Sequence, residues 1–107
     1  MQFNQIRQEI KNVPCDSLRL DCDNHFEAVI PRQEIGNLTH RLESFFGAPV
    51  WPSRDGLAFS IEEKIKSYGG IMPGQTLYYW AHGQDTIFAM LWPWQDGVRT
   101  TVKIVQK

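Results

Sequence analysis

Cysteine is scarce in this chain, and its scarcity narrows the class of protein. The 107 residues include two cysteines, Cys15 and Cys22, which lie seven positions apart. A disulfide-stapled domain needs more cysteines, and a structural zinc site needs close cysteine pairs. Adding the neighbouring His25 still leaves too few ligands, so we assign no metal site. Free thiols are typical of a reducing compartment, and we therefore expect a cytoplasmic protein.

Long apolar runs and an excess of charge are also missing. The segment 1–13 has no apolar core of signal-peptide length, and no stretch approaches the roughly 20 apolar residues of a membrane span. We therefore expect no membrane association. The formal net charge is -1, whereas nucleic-acid binders normally carry a basic excess because phosphate contacts require Lys and Arg. The charge balance argues against nucleic acid as a partner.

Motifs for catalysis and for cofactors are absent as well. The sequence has no G-x-S-x-G nucleophile elbow. Its glycine-rich segment 68–76, YGGIMPGQT, lacks the lysine and the following helix of a phosphate-binding loop. We explain these glycines as a helix cap and a turn. No catalytic residue and no cofactor is assigned, and a non-enzymatic protein is favoured over an enzyme.

Periodic apolar residues, which the sequence does contain, predict three helices. Helical spacing marks the segments 3–13, 32–46 and 61–68. Ser60 and Glu63 form a capping-box pattern at the start of the third segment. The predicted stops of the three helices are Pro14, Gly47 and Gly69.

Apolar residues at every second position across 17–30 predict a β-hairpin. A two-residue turn at Asp23-Asn24 would place Leu20 opposite Glu27. A three-residue loop instead keeps the apolar residues of both strands on one face, and we prefer it for that reason. In that register Cys22 points into the core.

Residues 76–105 predict three further strands, here called the C-terminal meander. Gly83-Gln84 suits a two-residue primed turn between the first two strands. A five-residue loop, 93–97, would join the second strand to the third. The pairs that these turns predict are Tyr79 with Phe88, Leu77 with Met90, Met90 with Thr100, and Phe88 with Val102.

The order of the elements predicts an α+β fold. Strands and helices are segregated along the chain, which favours one mostly antiparallel sheet of about five strands, with two to three helices mainly on one face. The length suits a single domain, 1–107. We expect the helix at 32–46 to cover the core face of the meander, whose residues are Leu77, Tyr79, Phe88, Met90, Val102 and Ile104.

The other face of the meander is the predicted interaction face. It combines two large aromatic residues, Tyr78 and Trp80, with two cations, Arg99 and Lys103. Burial under a helix such as the N-terminal one would explain the aromatic residues, because monomers rarely expose large apolar patches. A protein partner or a second copy of the chain would also explain them, since Tyr, Trp and Arg are enriched at interfaces. Stacking of single-stranded nucleic acid is the third and least favoured interpretation.

A second candidate site is a cleft between the sheet and the helices. It would draw on Tyr68, His82, Trp92 and Trp94 and lie near the loops in which Trp stands beside Pro. Such a cleft would bind a small molecule or serve a small enzyme. The sequence as a whole favours an interaction or ligand-binding module over an enzyme.

Overall fold

The computed structural model describes residues 2–107. These residues form three α-helices and one sheet of five antiparallel strands, in the spatial order β1-β2-β5-β4-β3. Single turns of 3-10 helix precede α2 and follow α3. The elements are α1 (Gln2–Lys11), β1 (Ser17–Asp21), β2 (His25–Pro31), α2 (Ile35–Phe46), α3 (Phe59–Ile65), β3 (Thr76–His82), β4 (Asp85–Pro93) and β5 (Arg99–Gln106). The predicted α+β fold is confirmed.

The first two helices form where apolar spacing predicted them. In α1 the buried residues recur at helical spacing, and the polar residues between them face solvent. In α2 the buried Leu38 and Leu42 lie one turn apart. Gly47 ends this helix with a φ of 81° and donates its N–H to the Glu43 carbonyl at 2.9 Å. That backbone conformation favours glycine, which explains the stop.

The predicted cap of α3 is wrong, although the helix itself is present. The helix begins at Phe59, and the carbonyl of Ala58 accepts the N–H groups of Ile61 and Glu62, both at 3.0 Å. Ser60 therefore lies inside the first turn, where its hydroxyl does not cap the helix. The predicted stop at Gly69 is confirmed, with a φ of 96°.

The predicted three-residue loop of the N-terminal hairpin is also wrong. Cys22 donates its N–H to the His25 carbonyl at 2.8 Å, so Asp23-Asn24 forms a two-residue turn. The register then shifts at Arg19, which forms a β-bulge and returns Leu18 to the apolar side of the sheet. The observed pairs are Asp21 with Phe26, Leu20 with Glu27, and Leu18 with Ala28. Cys22 is exposed instead of pointing into the core.

The first turn of the C-terminal meander follows the prediction. Strands β3 and β4 pair Tyr79 with Phe88 and Leu77 with Met90. Gly83 opens the two-residue turn between them with a φ of 61°. The glycine at this position accommodates the positive φ that a primed turn requires.

The second turn of the meander is shorter than predicted, and this changes the register of β5. Trp94 donates its N–H to the Arg99 carbonyl at 2.8 Å, which leaves only 95–98 as the loop. The Asp96 carboxylate accepts the N–H groups of Val98 and Arg99 at 2.9 and 3.2 Å and stabilises this turn. The observed pairs are Phe88 with Val105, Met90 with Lys103, and Trp92 with Thr101. The shift is an odd number of residues, so every side chain of β5 lies on the face opposite to its predicted one.

The sheet therefore has a first face and a second face of different composition. The first face carries Phe26, Ala28, Ile30, Tyr78, Trp80, Ile87, Ala89, Leu91, Val102 and Ile104. The second face carries His25, Glu27, Val29, Leu77, Tyr79, Phe88, Met90, Trp92, Arg99, Thr101, Lys103 and Val105. Val102 and Ile104 thus do not share a face with Leu77 and Phe88, and the predicted core face is wrong in this respect.

Helices α1 and α2 pack on the first face, not on the face that contains Leu77. Their buried apolar residues join the first-face residues in one cluster, to which they contribute Phe3, Ile6, Ile10, Leu38 and Leu42. A smaller cluster covers the β3–β4 half of the second face. It comprises Ile65, Leu77, Phe88, Met90 and Val105, with Val50, Trp51, Leu57, Ile61, Tyr68, Ile71, Tyr79 and Trp92 packed against it.

Candidate binding surface

The four residues of the predicted interaction face do not share a surface. Tyr78 and Trp80 lie on the first face, whereas Arg99 and Lys103 lie on the second. Tyr78 is only 1% exposed, and its hydroxyl donates to the Glu43 carboxylate at 3.2 Å. Burial, together with the charge of Glu43, raises the pKa of Tyr78 to about 12. Grouping the four residues was wrong because the register of β5 was wrong.

Trp80 also packs against helix α2 of the same chain. Its ring centroid lies 6.5 Å from that of Phe45 in α2, and its ring stacks on the His82 ring at 6.0 Å. The expectations of a homodimer and of base stacking both assumed that the Tyr78–Trp80 surface is open. Since α1 and α2 cover the first face, that surface gives neither expectation support.

Three of the four predicted cleft residues lie on the same side of the sheet. Tyr68 and Trp92 border the apolar cluster of the second face. Trp94 follows β4 and lies over the neighbouring strand β5, where its indole Nε1 donates to the Thr101 hydroxyl at 2.8 Å. His82 does not join them, because it lies at the end of β3 and stacks on Trp80.

The rest of the second face, here called the open half, runs from β1 across β2 to Arg99, Thr101 and Lys103 of β5. It carries mostly polar and aromatic side chains, whereas Val105 at the other end of β5 belongs to the smaller apolar cluster. The guanidinium carbon of Arg99 lies 5.3 Å from the Trp94 ring centroid. The Lys103 ammonium lies 3.8 Å from the Trp92 ring centroid, so each tryptophan has a cation on its face. These contacts hold both indoles against the sheet.

The remaining charges of the open half form a loose group around His25. Its Nε2 lies 3.6 Å from a Glu27 carboxylate oxygen, and the Lys103 ammonium lies 3.9 Å from the same oxygen. The His25 ring also meets the Tyr68 ring edge-on at 6.0 Å. Burial lowers the pKa of His25 and outweighs the opposing effect of Glu27, so the neutral imidazole is favoured.

Two depressions meet at Trp94. One, of about 420 Å³, is lined by Asp16, Ser17, Arg19, Val29, Trp94 and Arg99. The other, of about 570 Å³, is lined by Trp92, Pro93, Trp94, Gln95, Asp96 and Thr101. Trp94 thus separates two shallow sites that are each of the size of small-molecule pockets.

A third depression, of about 500 Å³, lies next to α3 on the same side of the molecule as the smaller apolar cluster. It is lined by Leu57, Phe59, Glu62, Glu63, Ile65, Lys66, Gly69, Gly70 and Ile71. Phe59 at its rim is 74% exposed and belongs to neither apolar cluster of residues 2–107. This depression is the main alternative binding site to the two depressions at Trp94.

Sequence patterns did not single out several residues that line the two depressions at Trp94, among them Ser17, Arg19 and Thr101. One signal could have found Thr101. Along β5 the polar residues Arg99, Thr101 and Lys103 alternate with apolar ones, which is typical of a strand with one face in solvent. Arg19 carried no such signal, because its position depends on the bulge in β1.

Within residues 2–107, no three His, Cys, Asp or Glu side chains are grouped in a way that could hold a metal ion. No helix in that range is long and apolar enough to cross a membrane.

Comparison of the chain with protein-family models, with curated proteins and with solved structures finds no match.

Proposed function

We propose that this chain is a non-enzymatic binding module whose partner or ligand contacts the open half of the second face, centred on Trp94. The observation that carries this proposal is the position of Trp94 between two depressions on a part of the sheet that no apolar cluster covers. Tryptophan and arginine are the residues most enriched at the centres of binding surfaces.

The way Trp94 is held supports the proposal. Its Nε1–H···Oγ1 bond to Thr101 and the Arg99 guanidinium on its ring restrict the indole before any partner arrives. A side chain that is already ordered loses less conformational entropy on binding.

The ionisable residues around His25 support binding rather than catalysis. Glu27 and Lys103 partly neutralise each other, the neutral form of His25 is favoured, and none of the three lines either depression at Trp94. A general base must lie within hydrogen-bond reach of its substrate. The three residues are therefore poorly placed to act on a molecule that occupies these sites.

Small-probe mapping by NMR tests the proposal. Phenol and isopropanol are titrated separately into the protein while amide and indole N–H shifts are recorded. We expect the largest shifts at the Trp94 indole and at residues 99–101, and we expect Trp94→Ala to abolish them.

Phe59→Ala is the matched control, since it removes an aromatic residue from the depression at α3. It should leave the shifts around Trp94 unchanged. Shifts concentrated around Phe59 and Ile71 instead would assign binding to α3 and would contradict the proposal.

A further inference from the structure

We propose that the depression between β1 and Trp94 binds an organic anion, a carboxylate attached to a planar apolar body. This inference rests on the proposed function and specifies its ligand. The depression, of about 420 Å³, combines two guanidinium groups, from Arg19 and Arg99, with an indole wall. Its lining thus offers both charge and apolar surface.

The two arginines have unused donors. Within residues 2–107 the Arg19 side chain makes no hydrogen bond and no ion pair, and the Arg99 guanidinium donates no hydrogen bond. Arg99 has only loose ion pairs, to Asp16 at 3.5 Å and to Asp96 at 3.6 Å. A guanidinium presents its N–H groups in a fixed fork that matches a carboxylate. These N–H groups are therefore free to donate hydrogen bonds to an anion.

The position of Arg99 is defined in advance. Its guanidinium carbon lies 5.3 Å from the Trp94 ring centroid, and the residue begins β5. Stacking on the indole restricts the plane of the guanidinium and leaves its edge free for an incoming oxygen. A surface arginine without such a contact would lose more side-chain entropy on binding.

Trp94 favours a ligand that has an apolar part. Val29 is buried beneath the depression, so the half-buried Trp94 indole supplies the apolar surface that remains open beside the cationic rim. An inorganic anion would use the arginines and leave this indole surface in contact with water. A planar body attached to the carboxylate would cover it and gain the hydrophobic contribution.

Asp16 opposes an anion in this site. Its carboxylate belongs to the lining and is the nearest counter-charge to the Nε of Arg99. An incoming carboxylate must displace this loose pair, which is about half exposed on both sides. Removal of the Asp16 charge should therefore tighten binding.

The test measures the affinity of naphthoate from the NMR shifts of the Trp94 indole N–H and neighbouring amides. Neutral naphthamide and inorganic phosphate serve as comparison probes. We expect naphthoate to bind at least about tenfold more tightly than either, because a charge-assisted hydrogen bond and the apolar body both contribute. The affinity should also fall as salt is added.

Variants then locate the site. Arg19→Gln and Arg99→Gln should each weaken naphthoate about tenfold, whereas Asp16→Asn should strengthen it. Arg54→Gln is the matched control, since Arg54 is an exposed arginine outside the depression. It should leave the affinity unchanged. Arg19→Gln remains informative if Arg99→Gln perturbs the turn, because Arg19 has no partner within residues 2–107.

Three outcomes would overturn the inference. Naphthamide binding as tightly as naphthoate at Trp94 would refute anion recognition and leave the proposed binding surface intact. Phosphate binding as tightly as naphthoate would refute the planar body. No binding of naphthoate would refute the ligand class, and the phenol and isopropanol titrations would then decide on the binding surface separately.

Discussion

The two faces of the sheet differ in how they are closed. The first face is mostly apolar from β2 to β3, and α1 and α2 cover most of it, with Trp80 partly buried. The second face is mostly apolar only over β3, β4 and the Val105 end of β5, where α3 and loop residues cover it. A helix of seven residues cannot cover five strands, so the rest of the second face carries charged and aromatic side chains. Burial beneath α1 and α2 therefore stabilises the sheet mainly through its first face, and part of the second face stays uncovered, where we propose that a ligand binds.

Ion pairs follow the same division. On the first-face side, Asp21 of the edge strand β1 pairs with Lys11 at 2.9 Å and Arg7 at 3.4 Å, which joins β1 to α1. On the second face, the pairs of Glu27 with Lys103 and of Asp16 with Arg99 are at 3.9 and 3.5 Å. The shorter contacts accompany the covered face, and the looser Asp16–Arg99 pair lies where we propose that a ligand binds.

The largest expected effect comes from the first face. Leu42→Ala removes a fully buried side chain between α2 and the sheet, and should lower the free energy of unfolding by about 3 kcal/mol because it leaves a cavity. Chemical denaturation measures the change. Leu20→Ala, at an exposed leucine of β1, should cost less than about 0.5 kcal/mol. Equal losses for the two variants would show that α2 is not the main cover of the sheet.

A smaller loss is expected on the second face. Ile65→Ala removes the buried residue of α3 and should cost about 2 kcal/mol. The expected cost is lower than for Leu42 because Ile65 borders the depression at α3, where water can reach part of the space that is vacated. A loss greater than that of Leu42→Ala in the same denaturation experiment would reverse the ranking of the two faces.

Tyr78→Phe tests the polar contact beneath α2. Loss of the hydroxyl bond to Glu43 should cost about 1 kcal/mol near neutral pH. The folded pKa of about 12 exceeds the ordinary value of 10.0, so the contribution is complete below pH 10.0 and is lost as the pH rises towards 12. The variant should lack this alkaline loss of stability in denaturation curves. An ultraviolet titration that detected Tyr78 ionising at its ordinary pKa would contradict its burial.

His25→Gln should have the smallest effect, and one that depends on pH. The folded pKa of His25 lies below the ordinary value of 6.5, so the unfolded chain binds the proton more readily. Stability is therefore complete above pH 6.5 and falls as the pH decreases through the folded pKa. The variant should lose this acidic dependence, as denaturation at a series of pH values would show. A histidine NMR titration that placed the folded pKa above 6.5 would refute the assignment.

Predictions from sequence succeeded where a single segment contained the whole signal. The apolar spacing of α1 and α2, the stops at Gly47 and Gly69 and the turn at Gly83-Gln84 each depend on residues close in the chain. The helix start at Phe59 was missed because the capping pattern at Ser60 competed with an actual start two residues earlier. The residues that line the two depressions at Trp94 were predicted only in part. Trp92 and Trp94 were named as site residues, whereas Arg19 and Ser17 were not.

The sequence by itself determined the type and order of the elements, and therefore the α+β class of the fold. Only the tertiary structure decided the registers of β1 with β2 and of β5 with β4, and hence which side chains share a face. The physical reason is that β4 is apolar on both faces, so a one-residue change in loop length leaves its local pattern acceptable in either register. Burial of Val102 and Ile104 beneath α1 and α2 selects the observed register of β5. That same choice placed Arg99, Thr101 and Lys103 beside Trp92 and Trp94 on the second face.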